Sequence, residues 1–288
     1  MSTIFSVLYI YLDSLAFLLL SALGLIIILG MMGVTNMAHG EFMMLGAYTV
    51  SLSCNAGLPL APAVLLATAT TGLLGMATER LIIRRFYGNL LQSLVATWGL
   101  SLVLSQGMLI LMGPSLPGVP MPLGGFGVAD KSYASYRLLL PAIGVGVLLL
   151  LWVVLFRTRA GMKIRATMQN PEIAQAMGVN VKAVYLLTFG AGSALAGFAG
   201  ALYAPTTVIG PLFGNSFLAP AFVTVVVSGG ADIILGAAMS SGALGAVEGS
   251  FNYLFGSVTG RMCLLVATMF LLRCFPAGLS DVLNRRRR

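Results

Sequence analysis

Charge is what this sequence has least of. Only 8% of its 288 residues are Asp, Glu, Lys or Arg, about a third of the ~25% found in a soluble domain. A water-soluble enzyme of this length needs far more polar surface, and a disordered chain far less apolar residue, so both are excluded. Its three cysteines, Cys54, Cys263 and Cys274, lack CxxC spacing and are too few for a disulfide scaffold. Each reads as a small apolar packing residue. A single histidine excludes HExxH and any multi-histidine metal site, so neither a metal nor a resident cofactor is expected. A Walker A loop is also missing. Gly125-Phe-Gly-Val-Ala-Asp-Lys-Ser132 comes nearest but carries Asp130 where a glycine belongs, so this chain is not expected to hydrolyse nucleotide. The first twelve residues hold no Lys or Arg, and no cleavable signal peptide is expected.

What is present is apolar: 58% of the residues are hydrophobic. Ser14–Met32 and Leu138–Phe156 each run without a charged side chain over about the twenty residues that cross a bilayer as helix. The polar–apolar alternation of a membrane barrel is absent. The 35 glycines suit helices packed closely where no hydrophobic force drives them together. Nine hydrophobic segments are expected, at about 9–31, 38–55, 59–83, 91–112, 137–156, 183–204, 217–230, 233–254 and 258–275. The second and seventh are short, which gives an all-α polytopic transmembrane bundle of eight to nine spans, some short or broken.

The formal charge of +8 acquires meaning from its location. Thirteen of the 16 basic residues fall on one side when the connections near 80–90 and 157–182 share it with the C-terminus. Lys131, Arg137 and Arg261 are left on the other. That asymmetry makes the first side cytoplasmic. It also removes nucleic acid as the reason for the charge. The tail Arg285–Arg288 reads as an anchor to anionic headgroups. The longest outer connection, about 113–136, is too rich in Pro and Gly for regular helix.

Ionisable groups within spans are functional candidates by default. Asp13, His39, Glu41 and Glu248 qualify, and Asp13 reads as solvated at a span end. Gly33-Val-Thr-Asn-Met-Ala-His-Gly-Glu41 packs Asn36, His39 and Glu41 between two apolar runs. Such an interruption offers backbone and half-helix ends to a solute, or else ties two helices together through paired polar groups. Glu248 and Asn252, four apart, share a helix face. They line a polar path or bond to a neighbouring helix. A serine nucleophile at Ser228-Gly-Gly with His39 as base would be the enzymatic reading, and it is weak.

Asn170-Pro171-Glu172 reads as N-cap, N1 proline and dipole-matched acid, with Gly178 as the terminator. A short helix is expected over 171–177, as a plain connector or a docking element.

Asn36-Met-Ala-His-Gly-Glu-Phe-Met-Met-Leu-Gly-Ala-Tyr48 resembles the permease subunits of branched-chain amino acid ABC importers, a family that includes urea and short-chain amide permeases. Ala96-Thr-Trp-Gly-Leu-Ser-Leu102, Arg165–Gly178, Thr188–Gly197 and Gly210-Pro-Leu-Phe-Gly-Asn-Ser216 extend the similarity from about residue 20 to Leu279. The resemblance implies an ABC importer permease fold filling 1–288 as one domain. It implies half of a pathway shared with a second related permease, two cytoplasmic ATPases that hold ATP and Mg, and an external soluble binding protein. The setting is a bacterial inner membrane, with the C-terminus cytoplasmic. It makes Asn170, Pro171, Glu172, Ala174 and Gly178 a coupling helix, and it adds Trp98 and Asn215 to Asn36, His39, Glu41, Glu248 and Asn252 as pathway candidates. The family's Arg-Pro-x-Gly-Leu ending is stretched here to Arg273-Cys-Phe-Pro-Ala-Gly-Leu279. The solute expected is small and neutral or zwitterionic, a branched-chain amino acid or urea and short amides. The alternative is a self-sufficient secondary transporter or channel.

Overall fold

The computed structural model describes residues 2–128, 131–229, 233–276 and 278–280. The Arg285–Arg288 anchor lies outside the described residues. In chain order the elements are α1 (Ser2–Met32), α2 (His39–Asn55), α3 (Leu60–Leu81), α4 (Leu90–Met112), β1 (Gly125–Val128) and β2 (Lys131–Ala134). They continue with α5 (Ser135–Arg157), α6 (Arg159–Gln169), α7 (Pro171–Ala176), α8 (Val181–Tyr203), α9 (Asn215–Ser228), α10 (Ile233–Phe255) and α11 (Ser257–Cys274). Every one of the nine expected hydrophobic segments is a helix. Among the described residues, α1, α3, α4, α5, α8 and α11 are long and apolar enough to cross a membrane. α2 has 17 residues and α9 has 14, fewer than the ~20 that a full crossing takes.

A hairpin and a helix were not foreseen. The Pro- and Gly-rich connection contains an antiparallel hairpin, β1 with β2, pairing Gly125 with Ala134 and Phe126 with Tyr133. The basic connection contains α6, capped by Thr158, whose side chain accepts from the Gly161 amide at 3.1 Å.

The helices gather into two compact units. One holds residues 1–22, 121–150 and 220–288. There the hairpin packs on the start of α1: Ser6 Oγ lies 2.6 Å from the Tyr133 hydroxyl, and Tyr9 donates to the Ala134 carbonyl at 3.1 Å. Tyr133 also meets Phe5 and Tyr9 edge-on. The apolar centre of this unit is Leu18, Val227, Leu244 and Leu264.

The other unit holds residues 23–120 and 151–219. Its core is made of backbone brought to backbone. A Cβ on Gly46 or Gly200 would overlap the carbonyls of Gly197 and Met43, so α2 and α8 touch directly. Gly75 meets Ser193 just as tightly, which seats α3 on α8. Small residues at such crossings let dispersion contacts replace the missing hydrophobic drive.

The turn after α3 is tied by charge. Glu79, fully buried, accepts from Arg84 Nε at 3.3 Å and Nη2 at 3.2 Å and also from the Tyr87 hydroxyl. Burial, reinforced by that carboxylate, pushes the Tyr87 phenol above its ordinary range. The Tyr87 ring meets Tyr185 of α8 edge-on at 4.9 Å.

Candidate functional site

The break between α1 and α2 is built from its sequence outward. Gly33 leaves α1 at φ +62°, a conformation that suits glycine. Asn36 then folds its Oδ1 back onto the Ala38 amide at 3.1 Å. Thr97 of α4 accepts from the Met37 amide at 3.1 Å and lies 3.3 Å from the Thr35 carbonyl. The unwound backbone is thereby paired inside the protein, as non-helical backbone at membrane depth must be.

α2 restarts with His39, fully buried, and Glu41, 2% exposed, in its first turn. The Glu41 carboxylate takes a hydrogen bond from Ser101 of α4. The Asn36 amide nitrogen and Glu41 Oε2 have no partner among the described residues. Asn36, His39 and Glu41 are thus brought together, but they are sealed in the interior of their unit.

Beside them, a Cβ on Gly40 would stand 2.6 Å from the Gly214 carbonyl oxygen, so the start of α2 abuts the residue before Asn215. Asn215 itself is exposed at the head of α9. An open cavity of about 440 Å³ lies alongside, lined by Gln106, Leu109, Pro114, Gly210, Phe213 and Ser216. Trp98 is 56% exposed on α4. The structure does not gather Trp98 with the buried trio.

In the first unit Glu248 is buried, with Oε2 unpartnered among the described residues. A Cβ on Gly260 would meet the Glu248 carbonyl at 2.9 Å and Asn252 Cβ at 3.0 Å, so α11 covers the Glu248–Asn252 face. Asp13 departs from the solvated reading. Its Oδ2 pairs with Arg137 Nη1 at 2.7 Å, because a carboxylate twelve residues into a helix is better stabilised by a cation than by partial hydration.

α7 forms on its local signals. Asn170 Oδ1 accepts from the amides of Glu172 and Ile173, both at 3.0 Å. Gly178 ends the turn at φ +83°, with its amide on the Gln175 carbonyl and the Val179 amide on the Ala174 carbonyl. Asn180 then caps α8 through the Ala183 amide at 3.1 Å. Ala174 is buried at 4%, Glu172 is exposed, and Ile173 and Met177 are 62% and 81% exposed.

The comparisons with known proteins agree with this architecture. Residues 7–273 match the family described as the permease component of the branched-chain amino acid transport system. The chain belongs to this family. It is 31% identical over 280 residues to the high-affinity branched-chain amino acid transport permease BraD of Pseudomonas aeruginosa, covering 90% of each. It is 29% identical over 283 residues to a probable branched-chain amino acid permease, LivH, of Methanocaldococcus jannaschii, covering 92% of this chain and 89% of the relative. A solved structure, PsaBC of Streptococcus pneumoniae in complex with Fab, shares the fold at TM-score 0.53 and 18% identity, covering 97% and 94%.

As a permease of this family the chain is a multi-pass membrane transport subunit. Sequence reasoning missed Thr97 and Ser101, which satisfy the α1–α2 break. Their signal was available: Ser93, Thr97, Ser101 and Ser105 recur every fourth residue, a polar stripe on a largely apolar helix. It also missed Ile173 and Met177, an i, i+4 apolar pair pointing away from α7's buried Ala174.

Proposed function

We propose that this permease forms half of the membrane pathway of an ATP-driven importer, with a second related permease, two cytoplasmic ATPases and an external binding protein completing it. α7 carries the reading. A six-residue helix capped at both ends, with Ala174 seated inward and Ile173 and Met177 presented outward, is a rigid apolar knob. Such a knob suits insertion into a groove of an ATPase, so that nucleotide-driven closure moves α8 and the helices packed on it. Glu172 and Gly178 are the acid and stop that keep it helical.

The solute is a branched-chain amino acid. The names of BraD and LivH support this over urea or short amides. Ionisable groups within the helices are few, in keeping with a neutral or zwitterionic solute. Asn215 and Trp98, exposed, face the pathway. Asn36, His39 and Glu41 hold the α1–α2 break in shape, and Glu248 and Asn252 tie α10 to α11. α2, α9 and α10 also lie within the bilayer, giving the eight to nine spans, with the C-terminus cytoplasmic.

Pull-down from gently solubilised membranes tests the assembly. A second permease and P-loop ATPases should co-purify, and Ile173→Asp/Met177→Asp should lose the ATPases while keeping the permease. A chain that purifies alone and transports in liposomes without ATP would instead make it a self-sufficient transporter.

A further inference from the structure

The last turn of α5 and the whole of α6 form a cationic elbow. From Lys131 to Pro171 the sequence contains no acid. At the elbow, a Cβ on Gly161 would overlap the carbonyls of Val154 and Leu155, so α6 folds back hard against the end of α5. That turn lays the Arg157 guanidinium 5.8 Å over the Trp152 ring and the Arg165 guanidinium 4.9 Å over the Phe156 ring. Trp152 and Phe156 are one turn apart and each 42% exposed. Arg159 and Lys163, also one turn apart, are exposed on α6 with Met162 between them, itself 63% exposed.

The ion pairs among the described residues are Glu79–Arg84 and Asp13–Arg137, so none of these four cations has an acidic partner there. Arg165 Nε is shielded from solvent and has no acceptor among the described residues. A guanidinium lying on an aromatic face keeps its edge N–H groups for bidentate binding of phosphate. Exposed aromatics at the end of a spanning helix sit at headgroup depth, and clustered cations there attract anionic lipid.

We propose that the α5–α6 elbow is a binding site for the headgroup phosphate of an anionic phospholipid. Arg157 and Arg165 grip the phosphate, Trp152 and Phe156 lie along the adjoining acyl chains, and Arg159 and Lys163 hold the remaining negative charge. An acidic protein surface is the other occupant that a cationic face admits. The aromatic pair at the membrane end of the elbow favours lipid. This site does not rest on the ATPase reading of α7.

Trp98 and Trp152 are the two tryptophans of the chain, which gives a direct probe. Trp98→Phe protein, reconstituted in phosphatidylcholine vesicles, is titrated with brominated phosphatidylglycerol or with brominated phosphatidylcholine. Trp152 fluorescence should report a local enrichment of the anionic lipid of roughly fivefold or more, weakened by salt. Arg157→Gln/Arg159→Gln/Lys163→Gln/Arg165→Gln should abolish the preference. The milder Arg159→Glu/Lys163→Glu, confined to exposed positions, should reduce it and serves if the fourfold variant does not fold. Equal quenching by the two lipids in the unaltered elbow overturns the proposal, as does a preference that survives both sets of substitutions. Quenching by neither lipid, restored on stripping a bound protein, would assign the elbow to that protein instead and equally overturn it.

Discussion

Gly200 of α8 lies so close to the Met43 carbonyl of α2 that a side chain at 200 would occupy the same space. The consequence is a helix crossing that tolerates one residue type. Gly200→Val should force the helices apart at a cost of about 1–3 kcal/mol or more. The check is the thermal midpoint of the detergent-solubilised protein. Gly99→Val is the control, because a Cβ there meets open space, and its midpoint should stay near that of the parent.

At Gly178 the constraint is conformational and not steric, since a Cβ there also meets nothing within 4 Å while φ is +83°. β-branched residues avoid that region and Asn accepts it. Gly178→Val should therefore unwind the end of α7 and lower transport per ATP hydrolysed in the reconstituted importer. Gly178→Asn should retain most of it. Both should insert normally. Equal coupling in the Val variant would remove α7 from the power transmission.

The Glu79 cluster makes a prediction about stability with a pH dependence. Arg84→Ala leaves the buried Glu79 carboxylate without its cation and should lower the thermal midpoint. Tyr87 still donates to Glu79, which limits the loss. Adding Glu79→Gln should recover part of the loss. Because the folded-state phenol is raised above its ordinary 10.0, its contribution is complete below pH 10 and is lost as pH climbs beyond that value. Tyr87→Phe should flatten this alkaline limb in denaturation curves recorded across that range.

Cysteines placed at Asn36, His39 or Glu41, in a background without Cys54, Cys263 and Cys274, should stay unreactive toward a small aqueous thiol reagent in every nucleotide state. Their burial, 0%, 0% and 2% exposed, is the reason. A cysteine at Asn215 should react readily. Labelling at 36 or 41 that changes with nucleotide would return these residues to the solute pathway.

The legible parts of the fold were those carried by local chemistry. Apolar runs placed nine helices, because a bilayer admits backbone only when its groups are paired within the segment. Asn170, Pro171 and Gly178 placed α7, because capping is satisfied within a few residues. The hairpin at 125–134 escaped because its strands are four residues long and owe their stability to Phe5 and Tyr9 on α1, far away in sequence. α6 escaped because a short basic stretch looks like any solvated loop until its Gly161 is seen against α5.

The sequence by itself determined that this chain is a membrane-embedded helical bundle, where its nine apolar helices run, and how α7 begins and ends. Those outcomes follow from hydrophobic length, charge asymmetry and capping, all of which act over short separations. Only the tertiary structure decided which polar residues are sealed in and which are presented. Asn36, His39 and Glu41 are buried, Glu41 against Ser101 of α4, whereas Trp98, one turn from Ser101 on that same helix, faces outward. Burial depends on which helix faces meet, and here that is set by backbone approach at Gly46, Gly197 and Gly200, a property of the packed chain that no single segment contains.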